Sequence, residues 1–252
     1  MRVLAVWSIK GGVGKTTAAV NLATLAARDG SRTLLWDLDP QGAASFSLRV
    51  SPRRRTSPRD VARRASDLRS LTRTADLANL DLLPSDLTYR TLEKELAERK
   101  RPTRRLAVKL APLREYYEWV MLDCAPSVTL ISEAVLDAAD ALLVPVVPSV
   151  LSLRTLDQIR AFAADTGHRG MRVLPFLSMV DRRKRLHREA CERLADGAEG
   201  FLRATVPFAS VVERTAERRS AVVEASPRAP ASQAFVALWD EVRDTLAAAG
   251  RG

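Results

Sequence analysis

The sequence predicts an α/β protein, with a mostly parallel central sheet and helices on both faces. Two observations carry that expectation. Short apolar or β-branched runs alternate with longer amphipathic stretches along the chain, the order in which strands and helices follow one another in parallel sheets. The first such run ends in a cluster of glycines that opens into an alanine- and leucine-rich stretch, giving strand, loop and helix in succession. At 252 residues the chain can bury a core without cross-links, and the whole of 1–252 reads as one domain.

In chain order, residues 3–8 are the first strand candidate and 15–28 the first helix. A second strand at 33–37 ends on Asp37. Residues 49–73 hold nine arginines, two aspartates, two prolines and few apolar side chains, a balance that keeps them at the surface as loop or short helices. A strand at 80–83 leads into helices at 86–99 and 103–116, and a strand at 119–123 ends on Asp123. Strands at 141–146 and 173–178 flank a helix at 153–164, and a helix at 186–195 follows. The last helix covers 232–248, where Phe235, Leu238, Trp239, Val242 and Leu246 fall on one face and Ser232 is placed to cap it.

Charge and cysteine content narrow the function classes. Forty basic against 30 acidic side chains give a net charge of +10. Thirty-four of the basic residues are arginine, which suits phosphate binding and is also what a GC-rich genome produces by drift. Three windows concentrate the charge: 49–73 at +7, 99–109 at +6 and 182–188 at +5, against −8 for the rest of the chain. Two cysteines cannot build a disulfide framework and fit a reducing compartment; Cys124 reads as a small buried residue and Cys191 as helix packing. His168 and His187 lack the spacing of a metal pair and read as surface residues. The most apolar stretch, 141–147, is far short of the roughly 20 residues of a membrane span. Lys10 interrupts the short apolar run after Arg2, so no secretory leader is read and the expected compartment is the cytoplasm.

The chemistry is concentrated in Lys10-Gly11-Gly12-Val13-Gly14-Lys15-Thr16-Thr17. Glycines let the backbone curl so that successive N–H groups point inward, and the helix that follows adds positive potential where phosphates would sit. Lys15 is placed to reach the β- and γ-phosphates and Thr16 to hold Mg²⁺, with Gly11, Gly12, Val13, Gly14 and Thr17 completing the cradle. The usual spacing G-x-x-x-x-G-K-[ST] fails at its first position, where Ile9 stands. An extra lysine, Lys10, precedes the glycine pair instead.

That departure resembles the deviant Walker A motif, K-G-G-x-G-K-[ST], of the ParA/MinD superfamily of P-loop NTPases. Further segments resemble the family in order: 34–42, containing Asp37-Leu38-Asp39-Pro40-Gln41-Gly42; 80–85; 117–127, around Asp123; and Ser178-Met179-Val180-Asp181-Arg182 near the base pocket. Ala125 stands where many relatives have a second proline, and Trp36 where an aliphatic residue is usual. The resemblance implies ATP and Mg²⁺ as cofactors. It implies that Lys10 crosses a sandwich homodimer to the partner's nucleotide, that Thr16, Asp37 and Asp123 organise Mg²⁺ and its water, and that Asp39 aligns the attacking water. It further implies slow ATP hydrolysis stimulated by a ParB-like or other adaptor protein. Nonspecific double-stranded DNA would be bound in the ATP state, hence association with the nucleoid, and a cargo partitioned or positioned by timed release. For DNA contacts the residues expected are Arg182, Arg183, Lys184, Arg185 and Arg188, then Arg214, Arg218 and Arg219. The alternative is a MinD-like membrane-associated positioning ATPase, against which the 245–252 tail, poor in bulky apolar residues, is a weak lipid anchor. An iron–sulfur carrier of the same superfamily would need a cysteine pair that is absent. A decayed, non-hydrolytic site is opposed by the presence of Asp37, Asp39 and Asp123.

Overall fold

A computed structural model describes residues 1–52, 68–168 and 170–249. Most of the arginine-rich segment read at 49–73 therefore lies outside the described residues. Among the described residues eight strands form one sheet in the order β3-β4-β2-β5-β1-β6-β7-β8. They are β1 (Arg2–Val6), β2 (Thr33–Asp37), β3 (Arg73–Thr74), β4 (Leu80–Leu83), β5 (Trp119–Asp123), β6 (Ala141–Val146), β7 (Arg172–Val180) and β8 (Thr205–Pro207). Every pairing is parallel except β3 with β4 at one edge.

Strand alternation divides the core between the two faces. Val3, Ala5, Leu34, Trp36, Val120 and Leu122 face one apolar layer, while Leu4, Val6, Leu35, Trp119 and Met121 face the other. The second layer is covered by α1 (Lys15–Arg28) and the long C-terminal helix, which carries Phe235, Leu238, Trp239, Val242 and Leu246 into it. α2 (Ala43–Ser47) follows β2. The first layer is covered by α3 (Leu92–Ala97), α4 (Arg105–Leu110), α5 (Leu130–Ala138) and α6 (Val150–Asp165). Pro145, which can donate no ladder hydrogen bond, falls beyond Leu143, the last β6 residue registered with β1. α7 (Arg185–Arg193), α8 (Ser210–Arg218), α9 (Val222–Ala225) and α10 (Pro230–Ala249) complete the chain.

Several sequence expectations are revised. The helices expected at 86–99 and 103–116 are each part 3₁₀: Leu87–Thr91 precedes α3 and Ala111–Glu115 follows α4. Pro112 opens the second of these turns, where it removes a helical donor. α2, α5, α8, α9, β3 and β8 were not expected, each being nine residues or shorter. Ser232 does not cap α10, which begins at Pro230; its hydroxyl donates to the Val222 and Ser226 carbonyls. Neither histidine is a plain surface residue. His187 is buried, its Nδ1 accepting the Asp181 N–H at 3.0 Å, and the half-buried His168 ring pairs with Asp137 at 2.9 Å.

Candidate functional site

The C-terminal edge of the sheet gathers the polar residues. β1 lies between β5 and β6, and its exit is the glycine-rich loop. Ligands of open α/β sheets bind where neighbouring connections diverge in this way. Gly14, the N-cap of α1, has φ 93° and offers no side chain, so the first N–H groups of α1 have no side-chain cap and face the loop. A Cβ on Gly14 would also lie 3.0 Å from Ser178 Oγ, which donates to the Val13 carbonyl at 2.8 Å. The Lys15 ammonium is buried and donates to the Lys10 carbonyl at 3.0 Å, closing the loop on itself. Burial holds its pKa below the ordinary lysine value, opposed by Asp123 and Asp39. Lys10 does not point into this loop: its Nζ donates to Ser152 Oγ, in the first turn of α6, at 3.2 Å.

Two carboxylates stand side by side beneath the loop because β2 and β5 register Asp37 against Asp123. Both are fully buried. Asp37 is satisfied: Oδ2 accepts the Ser45 N–H at 2.9 Å and the Ser45 hydroxyl at 2.7 Å, and Oδ1 accepts the Asp39 N–H at 3.2 Å. Burial still pushes its pKa up to about 6. Among the described residues neither oxygen of Asp123 has a hydrogen-bond partner. Burial and the neighbouring Asp37 drive its pKa well above the usual carboxylate range, with Thr16 and Lys15 acting the other way. A buried carboxylate with both oxygens open, beside a threonine hydroxyl and a second carboxylate, is a donor set suited to a hard, hydrated divalent cation, and Mg²⁺ fits it. Asp39 is half-buried further out and lines the adjoining cavity; its Oδ1 accepts the Gln41 N–H at 2.9 Å.

That cavity has a volume of about 440 Å³ and runs from Gly11, Gly12, Gly14, Lys15, Thr16 and Thr17 to a far wall of Met179, Val206, Pro207, Phe208 and Val212. The far wall is apolar apart from Glu213, Thr215 and Ser220. Sequence reasoning reached Ser178 and Met179 but missed Phe208, Ser45 and Ser152. Met179 takes φ 54°, uncommon for a side chain of its size. Only the unrecognised strand β8 could have pointed to Phe208.

Basic residues expected at a DNA face fall into different situations. Arg182, Arg183, Lys184, Arg185 and Arg188 sit together, exposed, at the turn into α7. Arg183 is forked onto Asp181 at 2.9 and 3.0 Å, Arg185 pairs with Glu189, and Arg188 donates to the Arg182 and Arg183 carbonyls. Arg214 and Arg218 are exposed on α8. Arg219 is half-buried, its Nε donating to the Phe46 carbonyl at 3.0 Å with the guanidinium 4.5 Å from the Phe46 ring centre.

Fold and site together define a class, the α/β proteins that hold a nucleotide through a phosphate loop at the exit of a central strand. A family model described as an AAA domain matches residues 1–169. The chromosome partitioning protein ParA of Caulobacter vibrioides is 38% identical over 162 residues, 63% of this chain. That match spans 61% of the length of the Caulobacter protein. A virulence-plasmid ParA family protein of Chlamydia psittaci is 27% identical over 98% of this chain and 96% of its own. The structure of the septum site-determining protein MinD of Pyrococcus horikoshii, complexed with Mg-ADP, superposes with a TM-score of 0.79 at 23% identity over 98% of this chain and 97% of that one. The chain belongs to the ParA/MinD-type P-loop ATPases.

Proposed function

We propose that this protein is an ATP-dependent dimerising switch, which binds DNA without sequence preference in its ATP state and hydrolyses ATP to partition or position a cargo. The observation that carries the reading is the pairing of a closed phosphate loop with two registered buried carboxylates, one of which has no hydrogen-bond partner among the described residues. Mg²⁺, when bound, would neutralise the β- and γ-phosphate oxygens; Thr16 and Asp123 would hold it, with Asp37 behind its water shell. Phosphoryl transfer needs positioning and charge neutralisation more than covalent chemistry. The chain supplies both. Lys15 gives up the Lys10 carbonyl for the phosphates, the α1 N-terminus donates N–H groups, and Asp39 at the cavity lip orients the attacking water. Turnover is slow until an adaptor of the ParB type completes the site.

Dimerisation is supported by the rim beside the loop. Val150 and Leu151 are 73% and 68% exposed, immediately before the Ser152 that Lys10 touches. In the dimer Lys10 leaves Ser152 for the partner's nucleotide, and the apolar pair is covered. DNA binding is supported by the exposed cations at 182–188 and on α8, with Arg182, Lys184 and Arg214 the most available for phosphates. The test is DNA binding with ATP, ADP or no nucleotide across a salt series, for the wild type, Lys10→Ala and Asp39→Ala. Expected are ATP-dependent binding that weakens steeply with salt, its loss in Lys10→Ala, and persistence without turnover in Asp39→Ala. Equal binding in all nucleotide states would sink the switch. ATP-dependent liposome binding instead would favour a membrane ATPase, although no helix among the described residues is long and apolar enough to cross a bilayer.

A further inference from the structure

We propose that Ser45 is a positioning residue: it fixes the Asp37 carboxylate and thereby sets how tightly the site takes Mg²⁺. The inference rests on the function proposed above and adds a residue to its machinery.

A fully buried carboxylate keeps a single orientation only if its lone pairs are occupied. At Asp37 one side chain supplies most of that restraint. Ser45 gives Oδ2 both its backbone N–H and its hydroxyl, at 2.9 and 2.7 Å. The direction of the hydroxyl is itself determined, because Ser85 N–H donates to Ser45 Oγ at 3.0 Å. A backbone N–H can only donate, so the single proton of Ser45 is left for Asp37. The short O–H···O⁻ contact is of the charge-assisted kind. Ser45 is itself buried, so water does not compete for these bonds.

The surrounding backbone is built to bring Ser45 to this place. Gly42 precedes α2 at φ 63°, and a Cβ there would lie 2.9 Å from the Ser85 carbonyl oxygen, so only glycine lets α2 approach the exit of β4. On its other side α2 is tied to the end of α8: Arg219 donates to the Phe46 carbonyl, and Arg49 donates to the Arg218 carbonyl at 2.9 Å. Ala43 and Ser47, flanking Ser45 in the same helix, line the nucleotide cavity. Among the described residues Asp123 has none of this support. The pair is therefore asymmetric: Asp123 is open to a ligand, and Asp37 is held at a fixed orientation across the strand register.

The experiment is titration of a fluorescent N-methylanthraniloyl ATP into the full-length protein, in EDTA and across a Mg²⁺ series, for wild type, Ser45→Ala and Ser45→Thr. Losing one charge-assisted hydrogen bond should raise the Mg²⁺ concentration for half-maximal binding about tenfold in Ser45→Ala. Affinity in EDTA should change by no more than about twofold, since the hydroxyl touches no phosphate-binding group. Ser45→Thr keeps the hydroxyl and should restore the wild-type Mg²⁺ response. Should Ser45→Ala fail to fold, Ser45→Cys carries the same test, because it fills the position with a weak donor and should shift the Mg²⁺ midpoint by about threefold or more. An unchanged Mg²⁺ midpoint in the folded variant, or equal losses with and without Mg²⁺, would overturn the positioning role and leave Ser45 as packing. A wild type that binds no nucleotide, or binds it identically with and without Mg²⁺, would overturn the proposed function, and Ser45's role with it.

Discussion

The two ends of the nucleotide cavity are made in different ways. The phosphate end comes from one unbroken segment, Lys10 to Thr17, whose glycines and helix start fix most of its geometry locally. The opposite end, which we propose takes the base, is assembled from the exit of β7, the short strand β8 and α8, and none of its apolar residues means anything without the others. A phosphate imposes charge and N–H direction, which a contiguous loop can supply; a purine offers a flat apolar surface, which any convergent set of side chains can cover. The phosphate end should therefore fail abruptly when altered, and the base end by degrees.

The largest expected effect lies at the phosphate end. Lys15→Ala removes the buried ammonium that lies near Asp123 and Asp39 and that we propose binds phosphate. ATP affinity measured by calorimetry should fall roughly 100-fold or more, the scale of a lost charge-assisted contact in a desolvated site. A loss below tenfold would mean that backbone N–H groups alone carry phosphate recognition.

The buried carboxylate pair gives the next effect, read as stability. Asp37 titrates at about 6 in the folded protein against 3.8 as the ordinary value, and Asp123 is also raised. Between these values the folded chain binds more protons than the unfolded chain, so this pair's contribution is fully present below about pH 4 and is lost as pH rises through about 6. In EDTA and without nucleotide, the Asp37 contribution to stability should therefore fall by roughly 3 kcal/mol in all as pH rises from below 4 to above 7, about half of it between pH 5 and pH 7.5. Mg²⁺ with nucleotide should flatten that slope. Asp123→Asn should flatten it too, raising apo stability at pH 7.5 while abolishing the Mg²⁺ response of nucleotide binding. A melting profile identical in wild type and Asp123→Asn would show that the pair is solvated.

At the base end Phe208 is the side chain to remove. The residue is 45% exposed and lines the cavity, and its N–H is anchored to the Val180 carbonyl at 3.0 Å. Stacking on an aromatic ring is worth about 1–3 kcal/mol per base, so Phe208→Ala should weaken ATP binding by about tenfold. Competition by inorganic triphosphate should be unchanged. If triphosphate binding falls as well, the two ends are not separable.

How far the sequence reaches follows the same division. The positions of the six main strands along the chain, the loop and the two carboxylates at strand ends were legible, because each rests on local pattern: apolar runs for β1, β2 and β5, glycines at 11, 12 and 14, and an acidic residue closing a strand. What could not be read depends on neighbours remote in sequence. Ser45 matters through Asp37 and Ser85, Ser152 through Lys10, and His187 through the Asp181 N–H. β8 has three residues, one of them proline, too little pattern to stand out from loop. The arginine clusters were legible as charge and not as availability, since Arg183, Arg185 and Arg219 are engaged within the chain in ways that composition does not encode.

Arg219 supplies the smallest prediction, and it bears on the wall where the two ends meet. It follows α8 directly at φ 52°, and its half-buried guanidinium is spent on the carbonyl and ring of Phe46 in α2. Arg214, within α8 itself, is exposed and points to solvent. Both were expected to contact DNA from their charge and from the family resemblance of their stretch. Arg219→Ala should cost about 1 kcal/mol of stability, the scale of one hydrogen bond with a partly exposed cation–π contact, and leave the salt dependence of DNA binding unchanged. Arg214→Ala should do the reverse, leaving the melting temperature within error while lowering the slope of log affinity against log salt by about one. If Arg219→Ala lowers that slope and Arg214→Ala does not, the guanidinium leaves Phe46 when DNA binds, and α2 then links the DNA face to the carboxylate that Ser45 holds.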